Sequence, residues 1–347
     1  MVRATIAATA VAVPAAADQS ALWSEYFAER STNRRLAERI WSRSGVKTRH
    51  AVIDPRVEDV SGWGTAARMQ RYVVEALPLG KQAVAEALDQ AGVAAADVGL
   101  FTVVTCTGYA TPGVDVRLAS GLGMSTGTQR LLVGHMGCYA AIPGLAAVND
   151  AATARGLTGV LLCVELASLH VQAPTDDPAQ IVTHALFGDA AAAVVVVPGR
   201  PGLALVGVAA RTDTTYAQAM TWDVTDHGFR MTLAPEVPDV LAAQVGPLVD
   251  ELLARHGVAR GSVAAWAVHP GGPRILDVVA AELSLDDDAM APSRETLRDY
   301  GNCSSPTVLI VLDAIRRTRP LRTDDYVVAL AFGPGLTLYG ALFRQSV

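Results

Sequence analysis

Two stretches of this 347-residue chain follow one plan, and the repetition limits the fold more than any other feature. In the first, residues 100–104 form an apolar, β-branched run suited to a buried strand. A loop containing Gly and Pro (108–113) and a helical stretch (114–122) follow. A turn at Gly137-Cys138, an Ala-rich helix reaching Arg155 and a strand at 159–164 complete the unit. In the second, a strand at 264–268 leads to the loop His269-Pro270-Gly271-Gly272-Pro273 and a helix at 274–283. The turn Gly301-Asn302-Cys303, a helix at 306–317 and a strand at 326–331 close the echo. The copies are offset by roughly 165 residues, far more than a solenoid repeat, which predicts a duplicated α/β domain. Short apolar strands alternating with helices predict a mixed sheet layered between helices. The halves divide as residues 1–200 and 201–347. The runs 212–230 and 174–183 show the least periodicity and are read as loops roofing a pocket.

Composition excludes several classes of function. The chain is 51% hydrophobic and 18% charged, so it is globular with a large core. A net charge of −6 argues against nucleic acid as the main partner, and no apolar run is long enough to span a membrane. Residues 1–17 mimic a short signal peptide, but the stretch has no Leu-rich centre and reads as a first core strand. Cys106, Cys138, Cys163 and Cys303 lack the spacing of metal knuckles or of a disulfide framework, and suit a reducing cytoplasm.

The chemistry concentrates at the turns of the repeat. Cys138 sits between the apolar run Leu131-Leu132-Val133 and the Ala-rich helix, which places the thiol at the helix's first turn, where the positive end of the dipole favours thiolate. The alternative is a buried structural cysteine. His269 ends a buried strand and faces a Gly/Pro loop. It is either a base and ion-pair partner for a thiolate or a histidine hydrogen-bonded in the core. Asn302, just ahead of a helix, is either an ordinary N-cap or a fixed N–H donor to a developing oxyanion. The order Cys, His, Asn also describes papain-like proteases, but those place the thiol near the mature N-terminus and have no α/β duplication. Arg35, Arg39 and Arg43 recur every fourth residue on a helix expected to run from near Ser31 to Gly45. They form either a phosphate-binding stripe or a solvated face partly paired with Glu38.

Taken together, Gly-Cys-Tyr-Ala-Ala at 137–141, Leu-Phe-Gly-Asp-Ala-Ala at 186–191, His-Pro-Gly-Gly-Pro at 269–273, Gly-Asn-Cys-Ser-Ser at 301–305 and Phe-Gly-Pro-Gly-Leu-Thr at 332–337 resemble the type III polyketide synthases, the chalcone synthase superfamily. The likeness extends over essentially the whole chain. It implies a thiolase-like fold, a duplicated αβαβα layered domain, and a cytoplasmic homodimer. It further implies that Cys138 takes an acyl starter from a thioester, while His269 and Asn302 hold the enolate formed as a malonyl-type CoA loses CO₂. By the same resemblance Phe187 and Met231 are gatekeepers, and Cys106, Ala167, His170, Trp222 and Ser304 line the cavity. Arg39 and Arg43 would bind CoA phosphates, and an acyl carrier protein could use the same stripe. No metal or redox cofactor is implied. Plant members carry Phe where Met231 stands, and bulk at Trp222 would limit the product. The product expected is an alkyl α-pyrone of germicidin type, with 1,3,6,8-tetrahydroxynaphthalene or an alkylresorcinol as alternatives. A reading from another class is a non-catalytic acyl-binding partner protein.

Overall fold

The computed structural model describes residues 3–346, and most of its strands join one nine-stranded mixed sheet. From edge to edge the order is β11 (Val263–Val268), β12 (Tyr326–Gly333), β13 (Thr337–Ser346), β8 (Gly202–Thr212), β1 (Ala4–Ala12), β7 (Asp189–Pro198), β6 (Gly159–Leu166), β4 (Leu100–Thr105) and β5 (Gln129–Gly134). Two ribbons stand apart: β2 (Ala16–Asp18) with β3 (Thr48–His50), and β9 (Met220–Thr225) with β10 (Gly228–Leu233). The duplication is visible in the strand directions. β6 runs antiparallel to β7 and parallel to β4, and β12 runs antiparallel to β13 and parallel to β11. The halves meet where Ile6 of β1 pairs with Leu203 of β8. Residue 200 lies in the turn between β7 and β8.

The helices are α1 (Gln19–Leu22), α2 (Arg34–Ser42), α3 (Thr65–Ala91), α4 (Val114–Leu122), α5 (Ala141–Arg155), α6 (Pro178–Leu186), α7 (Val237–Ala254), α8 (Pro273–Leu283), α9 (Asp287–Tyr300) and α10 (Pro306–Thr318). β7 shows how the sequence dictates layering. Ala190, Ala192, Val194 and Val196 face one core while Ala191, Ala193, Val195 and Val197 face another, so the strand is apolar throughout rather than alternating. In the first core, α5 and α10 lie between the two halves of the sheet, packing Ile142, Leu145, Val308 and Val311 against both. α3 and α4 cover the outer face of one half through Tyr72, Val84 and Leu118, and α7, α8 and α9 cover the other through Leu248, Leu276 and Met290. The result is α/β/α/β/α layering. The Ala-rich middle of α5 follows from this position, because small side chains let a helix sit close to strands on two sides.

Several sequence expectations need correction. The run Leu131-Leu132-Val133 is a strand, but β5 is an edge strand, with Leu131 and Leu132 at 40% and 44% exposure. Residues 212–230 and 174–183 contain regular structure. The β9–β10 hairpin forms because Thr225 Oγ1 both donates to Gly228 O and accepts from His227 N–H, and α6 starts because Asp177 caps Ala179 N–H ahead of Pro178. α2 starts at Arg34 rather than near Ser31, since Asn33 supplies its cap by accepting from Leu36 N–H. Residues 4–12 do form a core strand, at the centre of the sheet. No helix among the described residues is long and apolar enough to cross a membrane.

Candidate active site

Between the end of β5 and the start of α5 the chain turns sharply. His135 takes a left-handed φ of 56° and Gly137 one of 83°, and a Cβ on Gly137 would lie 2.7 Å from Pro334 Cδ. Cys138 therefore sits three residues before α5 rather than within its first turn. The turn runs on into the helix through bonds from Ala140 N–H to Gly137 O and from Gly144 N–H to Ala140 O. Its thiol is buried, with Ser304 Oγ 3.6 Å from Sγ. Burial pushes the thiol up to about 12, against the expected helix effect, while Ser304, the Cys138 backbone amide and the Asn302 amide pull it down.

The second half supplies the partners. His269 leaves the end of β11, its N–H bonded to Leu330 O of β12 at 2.8 Å. The ring is 1% exposed, yet neither Nδ1 nor Nε2 has a hydrogen-bond partner, which removes the reading of a histidine satisfied in the core. Burial pushes its imidazole down to about 3. Asn302 is held on both sides by residues 186–188: its N–H donates to Leu186 O at 2.8 Å, and its carbonyl accepts from Gly188 N–H at 3.0 Å. Asn302 Oδ1 accepts from Ser304 N–H at 2.8 Å, so the free end of the side chain is the NH₂ donor. The N-cap of α10 is Ser305, so Asn302 is not that cap. Ser304 has a φ of 56° and places its hydroxyl between Cys106 Sγ at 3.4 Å and Cys138 Sγ at 3.6 Å. The structure thus brings Cys106, Cys138, Asn302 and Ser304 together. A lone thiolate or a lone imidazolium is disfavoured in so dry a site.

An open cavity of about 700 Å³ is lined by Ala167, His170, Phe187 and Trp222, and runs past Ile53 to Ala15–Ala17. Trp222 Nε1–H donates to Cys106 O at 2.8 Å, and its ring lies 6.4 Å from that of Phe187. Cys106, Ser304 and Met231, all expected at the cavity, are not in this cavity's wall: Met231 is buried where it pairs with Trp222 across the hairpin, and Cys106 and Ser304 are buried beside Cys138. His170 lines the wall with both ring nitrogens already engaged. Nδ1 accepts from Phe229 N–H at 2.9 Å and Nε2–H donates to Thr107 O at 2.7 Å, while the ring stacks on Phe229. Burial pushes it down to about 4, so it is a neutral pin holding the hairpin over Cys106 rather than a group with free polar atoms. Arg35 and Arg39 are exposed on α2 and Arg43 is exposed just past its end, and among the described residues none of the three pairs with Glu38 or another acid.

Sequence reasoning missed Glu165. It is wholly buried with no cation beside it and accepts from Cys106 N–H, Thr107 N–H, Thr107 Oγ1–H and Ser305 Oγ–H. It thereby ties the Cys106 loop to the start of α10. The signal was a carboxylate inside the apolar strand Val160–Leu162 to Leu166, where only a fully bonded one is tolerated. Arg49 and Phe229 were missed too. Among the described residues no group of three or more His, Cys, Asp or Glu side chains is placed to hold a metal.

Comparison with known proteins identifies the family. The family model for the N-terminal domain of chalcone and stilbene synthases matches residues 2–200, and that for the C-terminal domain matches 211–347. A 1,3,6,8-tetrahydroxynaphthalene synthase from Streptomyces peucetius subsp. caesius is 35% identical over 98% of this chain and 93% of its own. An alpha-pyrone synthesis polyketide synthase-like protein of Mycobacterium tuberculosis, Pks18, is 31% identical over 88% of this chain and 81% of its own. The crystal structure of tetrahydroxynaphthalene synthase from Streptomyces coelicolor A3(2) superposes with a TM-score of 0.92 at 29% identity, covering 99% of both chains. With the sheet layering, the buried thiol and matches over nearly its whole length, the chain belongs to the chalcone and stilbene synthase family and is a type III polyketide synthase, an acyltransferase of thiolase-like fold.

Proposed function

We propose that this synthase loads an alkyl acyl starter on Cys138, extends it with malonyl-CoA or an alkylmalonyl-CoA, and releases an alkyl α-pyrone by lactonisation. The Cys138 proton passes to His269 as Sγ attacks the thioester carbonyl, and the CoA sulfur leaves with a proton. The extender then loses CO₂, and the electron pair of the broken C–C bond becomes an enolate. An N–H of His269 and the NH₂ of Asn302 stabilise its oxygen. The enolate carbon attacks the acyl–Cys138 carbonyl, forming the new C–C bond and expelling the thiolate. These steps move protons, an acyl group and CO₂, so the reading needs neither metal nor redox cofactor. Arg39 and Arg43 would hold the phosphates of a CoA thioester. The exposed Leu131 and Leu132 on edge strand β5 favour a homodimer formed there, since an unpaired apolar edge otherwise invites aggregation. Four cysteines without a disulfide suit the cytoplasm.

The observation that carries the alkyl reading is the cavity, whose wall beyond Trp222 offers Ala15–Ala17, Leu22, Phe27, Ile53 and Val171 to a hydrocarbon tail, alongside polar Arg49, Asp54, Ser168, Thr183 and His184. Cys106 beside Cys138, and the likeness to the Streptomyces peucetius enzyme, favour a second reading, tetrahydroxynaphthalene formation from malonyl units alone. A panel of acyl-CoA and carrier-linked starters against malonyl-, methylmalonyl- and ethylmalonyl-CoA, with products identified by mass, separates the two. Alkyl pyrones built on the supplied starter are expected. A naphthalene product that ignores the starter would overturn the first reading, and absence of any acyl adduct on Cys138 would overturn both in favour of a binding protein.

A further inference from the structure

We propose that Arg49 positions Asn302 and Phe187 from behind, by clamping the C-terminal end of α6 against the Gly301-Asn302 turn. The proposal rests on Asn302 being the oxyanion donor. Arg49 is 6% exposed, and its Nη1 donates to His184 O and, at 2.9 Å, to Phe187 O. These carbonyls close α6, where a helix leaves acceptors unpaired and its dipole favours a cation. The same segment sets Asn302 in register: Leu186 O accepts from Asn302 N–H, Gly188 N–H donates to Asn302 O, and Phe187 bridges to Asn302. Whatever fixes residues 184–187 therefore fixes the backbone that carries the donor and the ring at the cavity mouth.

The aliphatic stem of Arg49 contributes as well. Gly301 has a φ of 72° with ψ of −164°, a conformation nearly confined to glycine. A Cβ there would lie 2.6 Å from Leu186 O and 3.4 and 3.6 Å from Arg49 Cγ and Cδ, so the stem packs directly beneath the turn. At its far end the guanidinium lies over the Trp41 ring, 5.0 Å from the centroid. Asp189, a buried carboxylate bonded to Val52 N–H and to the N–H and hydroxyl of Ser168, attracts the Arg49 charge. The arrangement joins α2, α6 and the Asn302 turn through one buried cation. Arg49 also forms part of the cavity wall, yet its two hydrogen bonds go to the backbone of residues 184 and 187 rather than to a group of the reacting centre, so its role is positioning.

Arg49→Met keeps the stem on Gly301 and removes both hydrogen bonds. Two partial reactions are measured on the folded, full-length enzyme: acyl loading of Cys138, followed by mass, and CO₂ release from malonyl-CoA. Loading should stay near wild type while decarboxylation falls on the order of 10²-fold, the effect of displacing a positioned group by about 1 Å. In an Asn302→Ala background Arg49→Met should produce no further fall in decarboxylation, because the group it positions is gone. Equal losses in both partial reactions, additive losses in the double variant, or a changed starter KM with unchanged decarboxylation would each overturn the proposal. If Arg49→Met fails to fold, Arg49→Lys, which keeps the charge but ends one bond short of the Nη1 that serves both carbonyls, must show the same split at smaller amplitude. Asn302→Ala alone separates the two failures. If it spares loading and Arg49→Met does not, Arg49 has no positioning role. If it harms both steps equally, the reading of Asn302 falls and this proposal with it.

Discussion

Trp222→Ala tests what limits the product. The indole stands between Cys106 and the apolar part of the cavity, fixed by its Nε1–H bond to Cys106 O and by edge contacts at 5.5 Å to His170 and 6.1 Å to Phe229. An aromatic ring of this kind covers on the order of 150–250 Å² of neighbouring surface, and removing it opens that much wall to a growing chain. Complete burial would put the stability cost at about 3–5 kcal/mol. The ring is only half-buried, so the expected loss is about 2–3 kcal/mol, including about 1 kcal/mol for the hydrogen bond. The variant should fold, and thermal unfolding checks this before any product is examined. With one starter and one extender, Trp222→Ala should release products longer by one or more extension units, or accept starters that the wild type refuses. Trp222→Phe keeps most of the wall and loses only the N–H, so its product pattern should stay close to wild type. A folded Trp222→Ala enzyme with an unchanged product profile across the starter panel would refute the argument that this ring sets product size.

Three further outcomes are expected. His269→Ala removes the proposed proton acceptor while burial still holds the Cys138 thiol up at about 12, so acyl loading of Cys138 near neutral pH should fall on the order of 10²–10⁴-fold and should climb with pH more steeply than in the wild type. Indistinguishable pH profiles would mean that His269 does not receive the Cys138 proton. Arg39→Ala combined with Arg43→Ala should raise KM for CoA thioesters with little change in kcat, and should leave a short thioester lacking the nucleotide unaffected; equal damage to both substrates would indicate a folding defect instead. Leu132→Arg, on the exposed β5 edge, should shift the protein to a monomer in sedimentation velocity, and a persistent dimer would place the interface elsewhere.

What the sequence disclosed and what it withheld follow from the range of the interactions. The strands and helices of the repeat were legible because their signals are local: β-branched runs, Ala-rich stretches, and Gly or Pro at the breaks. β4, α4 and α10 begin where those signals place them. Cys138 and His269 stood out because each follows an apolar strand at a turn, and Asn302 because it stands in a Gly-led turn just ahead of a helix. Their environment did not, since burial is a property of five layers rather than of any one segment. A helix N-terminus in the sequence suggested a lowered thiol pKa, yet the desolvation that pushes Cys138 up comes from residues far along the chain. The edge position of β5 was hidden for the same reason: Leu131-Leu132-Val133 reads like any core strand until the sheet order leaves one side of it empty. Arg49 and Glu165 were the least legible, because their partners are backbone groups distant in sequence, which no motif records. A charged residue within an otherwise apolar stretch is the local trace of such a network. In this chain Glu165 is such a residue and braces the loop after β4 that carries Cys106, whereas Arg49, set in the polar run Lys47-Thr48-Arg49-His50, leaves no such trace although it braces the turn between α9 and α10 that carries Asn302.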